Sequence, residues 1–174
     1  SNIHSAYFEA GATVATTNSY TILRDRLKHV ELEHEVQNLW NSSVAAACKA
    51  RDKFGSGRIA GSIGPLVASY RPDICPPVEE ASKIYKEKVE SIAPKVDILL
   101  VETVCSLKQA KGVLAATDNS NKPVWISFSV DDNDGTKLRS GENLEEVEAV
   151  INHHLVEAVL INCSPPEVVG NALS

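Results

Sequence analysis

The sequence predicts an α/β fold with a parallel sheet, and three observations carry that expectation. Five short apolar, β-branched runs begin near residues 13, 58, 97, 123 and 156. Segments of helical period separate them, and strict βα alternation requires parallel strands joined by crossover helices. Each run also ends in polar residues: Asn18-Ser19-Tyr20, Ser62 to Pro65, Glu102-Thr103, Ser127 and Asn162-Cys163. Five units suit either an open doubly wound sheet or part of an eight-stranded (β/α)8 TIM barrel. No G-x-G-x-x-G follows any strand, which disfavours the dinucleotide-binding form. Polar clusters confined to C-terminal strand ends suit the barrel, whose working face lies there.

In chain order, Ile3, Tyr7 and Ala10 are spaced like one face of a helix that stops at Gly11. A strand over residues 12–20 follows, rich in threonine and valine. Residues 21–33 read as a charged connecting loop. From His34 to Phe54, the stripe Val36, Trp40, Val44, Ala47 and Phe54 predicts a helix, stopped by Gly55 and Gly57. Arg58 to Pro65 is a strand running into a Gly-Ser-x-Gly-Pro turn, where glycine permits close approach of a ligand. It lacks the lysine and further glycines of a phosphate loop, and turn chemistry explains it equally well. Pro76-Pro77 opens the next helix, whose stripe is Val78, Ala81, Tyr85, Val89 and Ile92.

The strand Val96 to Val101 ends at Glu102-Thr103. A carboxylate at the end of a buried strand is costly unless paired or used, which makes Glu102 a candidate functional residue. Ser106 to Gln109 has the capping-box pattern for a helix carried by Leu107, Ala110, Leu114 and Thr117. A strand over 123–130 enters the polar loop Asp131 to Gly135. That loop has an EF-hand-like start, but Thr136 stands where the calcium loop needs glycine, so calcium is rejected. Asn143 caps a helix through Ile151, and the last strand, Val156 to Ile161, delivers Asn162 and Cys163 to a loop begun by Ser164-Pro165-Pro166.

Composition bounds the function. The chain has 174 residues, 43% hydrophobic and 23% charged, with net charge −6, enough to bury a core. Its basic residues form no stripe, which argues against nucleic acid. No apolar run reaches the length of a membrane span. Four scattered cysteines without a C-x-x-C pair fit reduced thiols in the cytoplasm. His153-His154 reads as complementing a helix dipole rather than binding a metal. The absence of methionine and the helical start suggest a piece of something larger.

Taken as an ordered set, Ala10-Gly11-Ala12 with Thr16 to Tyr20, Ala60 to Pro65, Leu99 to Thr103 and Ile161-Asn162-Cys163 resemble the homocysteine S-methyltransferase family. The resemblance spans residues 1–174. It implies a zinc-dependent (β/α)8 barrel that methylates homocysteine to methionine, with this chain supplying strands two to six of one homocysteine-binding domain. Cys163 then matches the first of three zinc-binding cysteines, the other two lying outside this chain. Glu102 matches the acid that holds the substrate's amino group. Asn18, Ser19, Tyr20, Ser62 and Gly64 match pocket-lining strand ends. The methyl donor would be S-methylmethionine, S-adenosylmethionine or betaine, and a homo-oligomer is compatible. One thiolate cannot complete a catalytic zinc site, so the segment alone is expected to be inactive. The rival expectation is a non-catalytic barrel fragment or binding module without metal. An aldolase-type lyase is disfavoured, because no strand end carries lysine.

Overall fold

The computed structural model describes residues 2–174. Its centre is one five-stranded sheet: β1 (Val14–Thr16), β2 (Arg58–Ile63), β3 (Ile98–Val104), β4 (Val124–Phe128) and β5 (Val156–Ile161). The strands lie in sequence order and every neighbouring pair is parallel. That order separates the two expected architectures. A doubly wound sheet reverses its order at a switch point, whereas right-handed crossovers that always step the same way put every helix on one face. The topology is that of a barrel.

The helices are α1 (Asn2–Glu9), α2 (Arg24–Leu27), α3 (Val36–Phe54), α4 (Val78–Ile92), α5 (Leu107–Thr117), α6 (Glu148–Ile151) and α7 (Pro166–Ala172). None is long and apolar enough to cross a membrane. α3 buries Val36, Trp40, Val44 and Ala47, the stripe its periodicity marks, and Gly55 ends it at φ +95°. At Gly61 a Cβ would sit 3.0 Å from Ile92 and 3.2 Å from Val96, so α4 presses on the outer face of β2 there. Ser62 and Glu102, one step along their strands from the outward positions, face the opposite side.

Several local expectations change. The stretch read as a loop over 21–33 contains α2 and one short 3₁₀ turn, and a second begins at Glu33, because Leu23 is buried and pins the segment. In α1, Ile3 and Tyr7 are exposed and Phe8 is the buried residue. Phe54 is half exposed and stacks on Phe8 instead of joining the α3 stripe in the core. β1 shortens to three residues, so Asn18, Ser19 and Tyr20 lie in the loop beyond it. Ser106 caps α5 by accepting from Gln109 N at 3.1 Å, but the Gln109 side chain reaches back to Cys105 N rather than to the cap itself. The polar loop after β4 folds back through bridges between Val130 and Leu138 and between Lys137 and Asn143. The Asp131 carboxylate is engaged there by the amides of Asn133 and Asp134. The last helix before β5 is a 3₁₀ turn over 144–147 followed by the single turn of α6.

Candidate active site at the C-terminal strand ends

A line of hydrogen bonds crosses the ends of the first three strands. Thr17 Oγ1 accepts from Ser62 N at 3.0 Å and lies 2.8 Å from Ser19 Oγ. Ser19 Oγ donates to Ser62 O at 2.8 Å, and Ser62 Oγ donates to Glu102 Oε1. Ser19 and Ser62 are buried and Glu102 is partly exposed, so the line starts in the protein and ends in a carboxylate at the open side of the sheet. Ser62 engages one carboxylate oxygen and leaves the other for a ligand.

Tyr20 stands beside this line, with its phenol 2.9 Å from Ser69 Oγ. Gly64 makes that placement possible: a Cβ there would come within 2.6 Å of Tyr20 O and 2.9 Å of its ring. Asn18 points elsewhere. It is exposed and lines a groove along the β1 edge with Thr16, Ile22 and Leu39. The structure therefore brings Ser19, Ser62 and Glu102 together, sets Tyr20 and Gly64 next to them, and leaves Asn18 outside the hydrogen-bonded line.

A second cluster forms where β3 and β5 end. The register of β3 shifts between Val101 and Val104, and Thr103 takes φ +60° inside that irregularity. Left-handed backbone is unfavourable for a β-branched residue, so its surroundings must hold it. Asn162 does so: its Oδ1 accepts from Thr103 N and its Nδ2 donates to Thr103 Oγ1, both at 3.2 Å. Thr103 Oγ1 in turn donates to Cys163 Sγ at 3.6 Å. Cys163 is exposed, also at positive φ (+51°), which turns its thiol out at the strand end.

Two residues from distant loops complete the surroundings of that sulfur. The Cys163 thiol beside it, with desolvation adding, pushes the Tyr70 phenol up to about 12. Arg139 stacks 4.8 Å from the Tyr70 ring centre, pairs with Asp132 and donates to Cys163 O at 2.9 Å. Thr103 is thus the hydroxyl hydrogen-bonded to Cys163 Sγ, with Tyr70 close by. Such outer contacts orient a metal-binding ligand.

Of the other thiols, Cys75 and Cys105 are buried, and Cys105 Sγ donates to Thr103 O at 3.4 Å. Burial pushes Cys105 up to about 11, which keeps it a thiol. Cys48 lies on α3, with Sγ 3.7 Å from Lys95 O. Among the described residues the one group of three potential metal ligands is Asp118, His153 and His154, at the N-terminal ends of the strands. There His153 Nε2 is 2.7 Å from Asp118 Oδ1 and stacks on His154, so the contact ties α5 to the approach of β5. Cys163 belongs to no group of three potential metal ligands among the described residues.

Sequence reasoning missed Lys88. It is fully buried, and its Nζ donates to Ser19 O at 2.6 Å. Its signal was present, because Lys88 falls between Tyr85 and Ile92 on the buried stripe of α4 at three- and four-residue steps. Tyr70 and Arg139 come from loops whose folding back no periodicity marks.

The comparisons with known proteins agree with this geometry. The homocysteine S-methyltransferase family model matches residues 1–174. Homocysteine S-methyltransferase 1 of Brassica oleracea var. italica is 29% identical over 199 residues, covering 98% of this chain and 60% of that protein. The crystal structure of the metallated homocysteine methyltransferase MmuM from Escherichia coli superposes with a TM-score of 0.89 at 28% identity, covering 99% of this chain and 65% of that one. Its apo form gives 0.79 at 25% identity, with coverage of 99% and 64%. The chain spans about 60% of the length of the curated relative. With a family model matched along its whole length, the chain belongs to the homocysteine S-methyltransferase family.

Proposed function

We propose that the protein carrying this chain transfers a methyl group to the thiol of homocysteine, giving methionine. The observation that carries the reading is the meeting of two chemistries on one face. Glu102 holds a free carboxylate oxygen at the end of β3, and its neighbour Thr103 touches the exposed Cys163 sulfur at the end of β5. An amino acid bearing a thiol needs both: a carboxylate for its ammonium and a metal for its sulfur.

Glu102 receives the substrate ammonium, and Ser62 fixes the direction of the carboxylate. A charge-assisted contact of this kind is worth about 1.5–3 kcal/mol. Tyr20, seated over Gly64, walls the pocket. Asn18, which lines the groove along the β1 edge, takes no part in this reading. Cys163 supplies one ligand to zinc, with Thr103 orienting its sulfur. Zinc, when bound, turns a coordinated thiol into a thiolate, the form that attacks a methyl donor.

The five strands serve as strands two to six of an eight-stranded barrel formed by one homocysteine-binding domain. Two further cysteines outside these residues would complete the zinc site. The superposition on a metallated relative supports a metal in the complete protein. The donor is a small sulfonium or ammonium compound: S-methylmethionine, S-adenosylmethionine or betaine. Four free cysteines suit the reducing cytoplasm.

The test is methionine formation by the protein extended to the full length of its relatives, supplied with homocysteine and each donor in turn. Methionine formed from one donor, with loss on Cys163→Ser, is the expected result. Absence of transfer from all three donors by a folded, zinc-loaded protein would overturn the reading.

A further inference from the structure

Lys88 is the largest unexplained expense in the fold. A buried ammonium has three donors to satisfy, and among the described residues its one hydrogen bond is to Ser19 O at 2.6 Å. Replacing such a group by an apolar one is often neutral or stabilising, so its presence calls for a use.

Its surroundings indicate one. Ser19 is the head of the line that runs through Ser62 to Glu102. Burial pulls the Lys88 ammonium down to about 7, and the Glu102 carboxylate is the strongest charge opposing that pull. On α2, Arg26 adds to the fall and Asp25 resists it. Asp25 is already engaged through one oxygen, which accepts from Val67 N at 2.6 Å, while its other oxygen is buried without a partner. Arg26 is held by Pro65 O at 2.7 Å. Glu102 ends the Ser19–Ser62 line with one carboxylate oxygen unengaged, so it is the charge that the proposed ligand ammonium neutralises.

We propose that Lys88 is a positioning residue that exchanges charge with the ligand: it balances Glu102 while the pocket is empty and releases its proton when a ligand ammonium docks there. This rests on the proposed role of Glu102 in ammonium recognition. Once a second cation sits on the carboxylate, the attraction that kept the proton on Lys88 is cancelled while the burial penalty stays. The Lys88 Nζ–H bond then breaks and its proton passes to solvent buffer. The neutral amine still donates to Ser19 O, so the line to Glu102 keeps its shape.

The experiment is calorimetric titration at pH 7 with L-methionine, which carries the ammonium but no thiol to add a proton of its own. Buffers of different ionisation enthalpy give the protons released per ligand bound. The wild-type protein is expected to release up to about half a proton, since Lys88 titrates at about 7. Lys88→Arg keeps a permanent charge, so it should release none and bind about tenfold more weakly, a coupling of ordinary size. Lys88→Met should also release none, yet bind at least as tightly as wild type. A purely structural lysine would weaken binding in both variants. Unchanged proton release in Lys88→Arg, or weaker binding in both variants, would overturn the inference alone. If methionine does not bind, or binds equally well to Glu102→Gln, the role of Glu102 fails and the inference with it.

Discussion

Asn162 and Thr103 grip each other through two hydrogen bonds of 3.2 Å, one in each direction between an amide side chain and a strained threonine. This clasp joins the end of β5 to the irregular end of β3, although the two strands do not pair. It places the Cys163 sulfur next to Thr103, and therefore one residue from Glu102.

Removing the clasp should loosen Cys163, the proposed metal ligand, without unfolding the sheet. Asn162→Ala leaves Thr103 N and Oγ1 without their partners at φ +60°. Loss of an outer contact of this kind typically costs 10–100-fold in metal affinity. The expected result is zinc affinity lowered by about one to two orders of magnitude, measured by competition with a chromophoric chelator. Unchanged affinity would show that Cys163 needs no such support.

In the proposed reading Glu102 serves the substrate and not the metal. Glu102→Gln keeps the contact with Ser62 Oγ and removes the charge. Loss of about 1.5–3 kcal/mol should weaken homocysteine binding by about one to two orders of magnitude. Zinc content, measured by atomic absorption, should be unchanged. Zinc lost together with affinity would make Glu102 a ligand.

Lys88 gives a stability signature that does not depend on any ligand. Its folded pKa, about 7, is below the unfolded 10.5, so between these values the unfolded chain binds more protons and stability rises with pH. At about 1.4 kcal/mol per unit the rise amounts to a few kcal/mol. Thermal melts from pH 6 to 9 should show it in the wild type. The Lys88→Met variant should be more stable near pH 6 and lack the rise. Parallel profiles for the two proteins would contradict a depressed Lys88.

Gly64 should tolerate no side chain. A Cβ 2.6 Å from Tyr20 O must displace the backbone that carries Ser19 and Tyr20. Gly64→Ala is expected to destabilise the fold by about 1–3 kcal/mol, the usual cost of overpacking, and to weaken ligand binding as well. A variant with wild-type melting and binding would remove Gly64 from the site.

The open edges of β1 and β5 offer unpaired backbone, and Val159 on β5 is 42% exposed. Such edges invite pairing with other chains. The 174-residue chain on its own should therefore associate, as read by light scattering after size exclusion. A monodisperse monomer with a cooperative melt would contradict this.

Much of the sheet was legible because each strand ends a β-branched run with polar residues, and because α3, α4 and α5 keep their apolar stripes. Glu102 stood out as a charge where a buried strand should have none. Lys88 sat on an apolar stripe where a long stem can pass as packing, so its position said little until its Nζ was located. Thr103 and Cys163 take left-handed backbone although neither is the glycine that sequence patterns associate with it. Tyr70 and Arg139 reach Cys163 only because two loops fold across the strand ends, a long-range arrangement that short spacing cannot encode. Ile3 and Tyr7 kept helical spacing yet point outward, because periodicity gives a face but not which side of the helix is covered.

Whether this face performs methyl transfer through Cys163 is tested most directly by assaying the relative-length protein and its Cys163→Ser variant side by side, scoring methionine formed from homocysteine and bound zinc together. Wild type should bind one zinc through three thiolates and form methionine, while the variant should lose both, since serine cannot replace a thiolate. A variant that keeps its zinc and its methionine formation would contradict the assignment of Cys163.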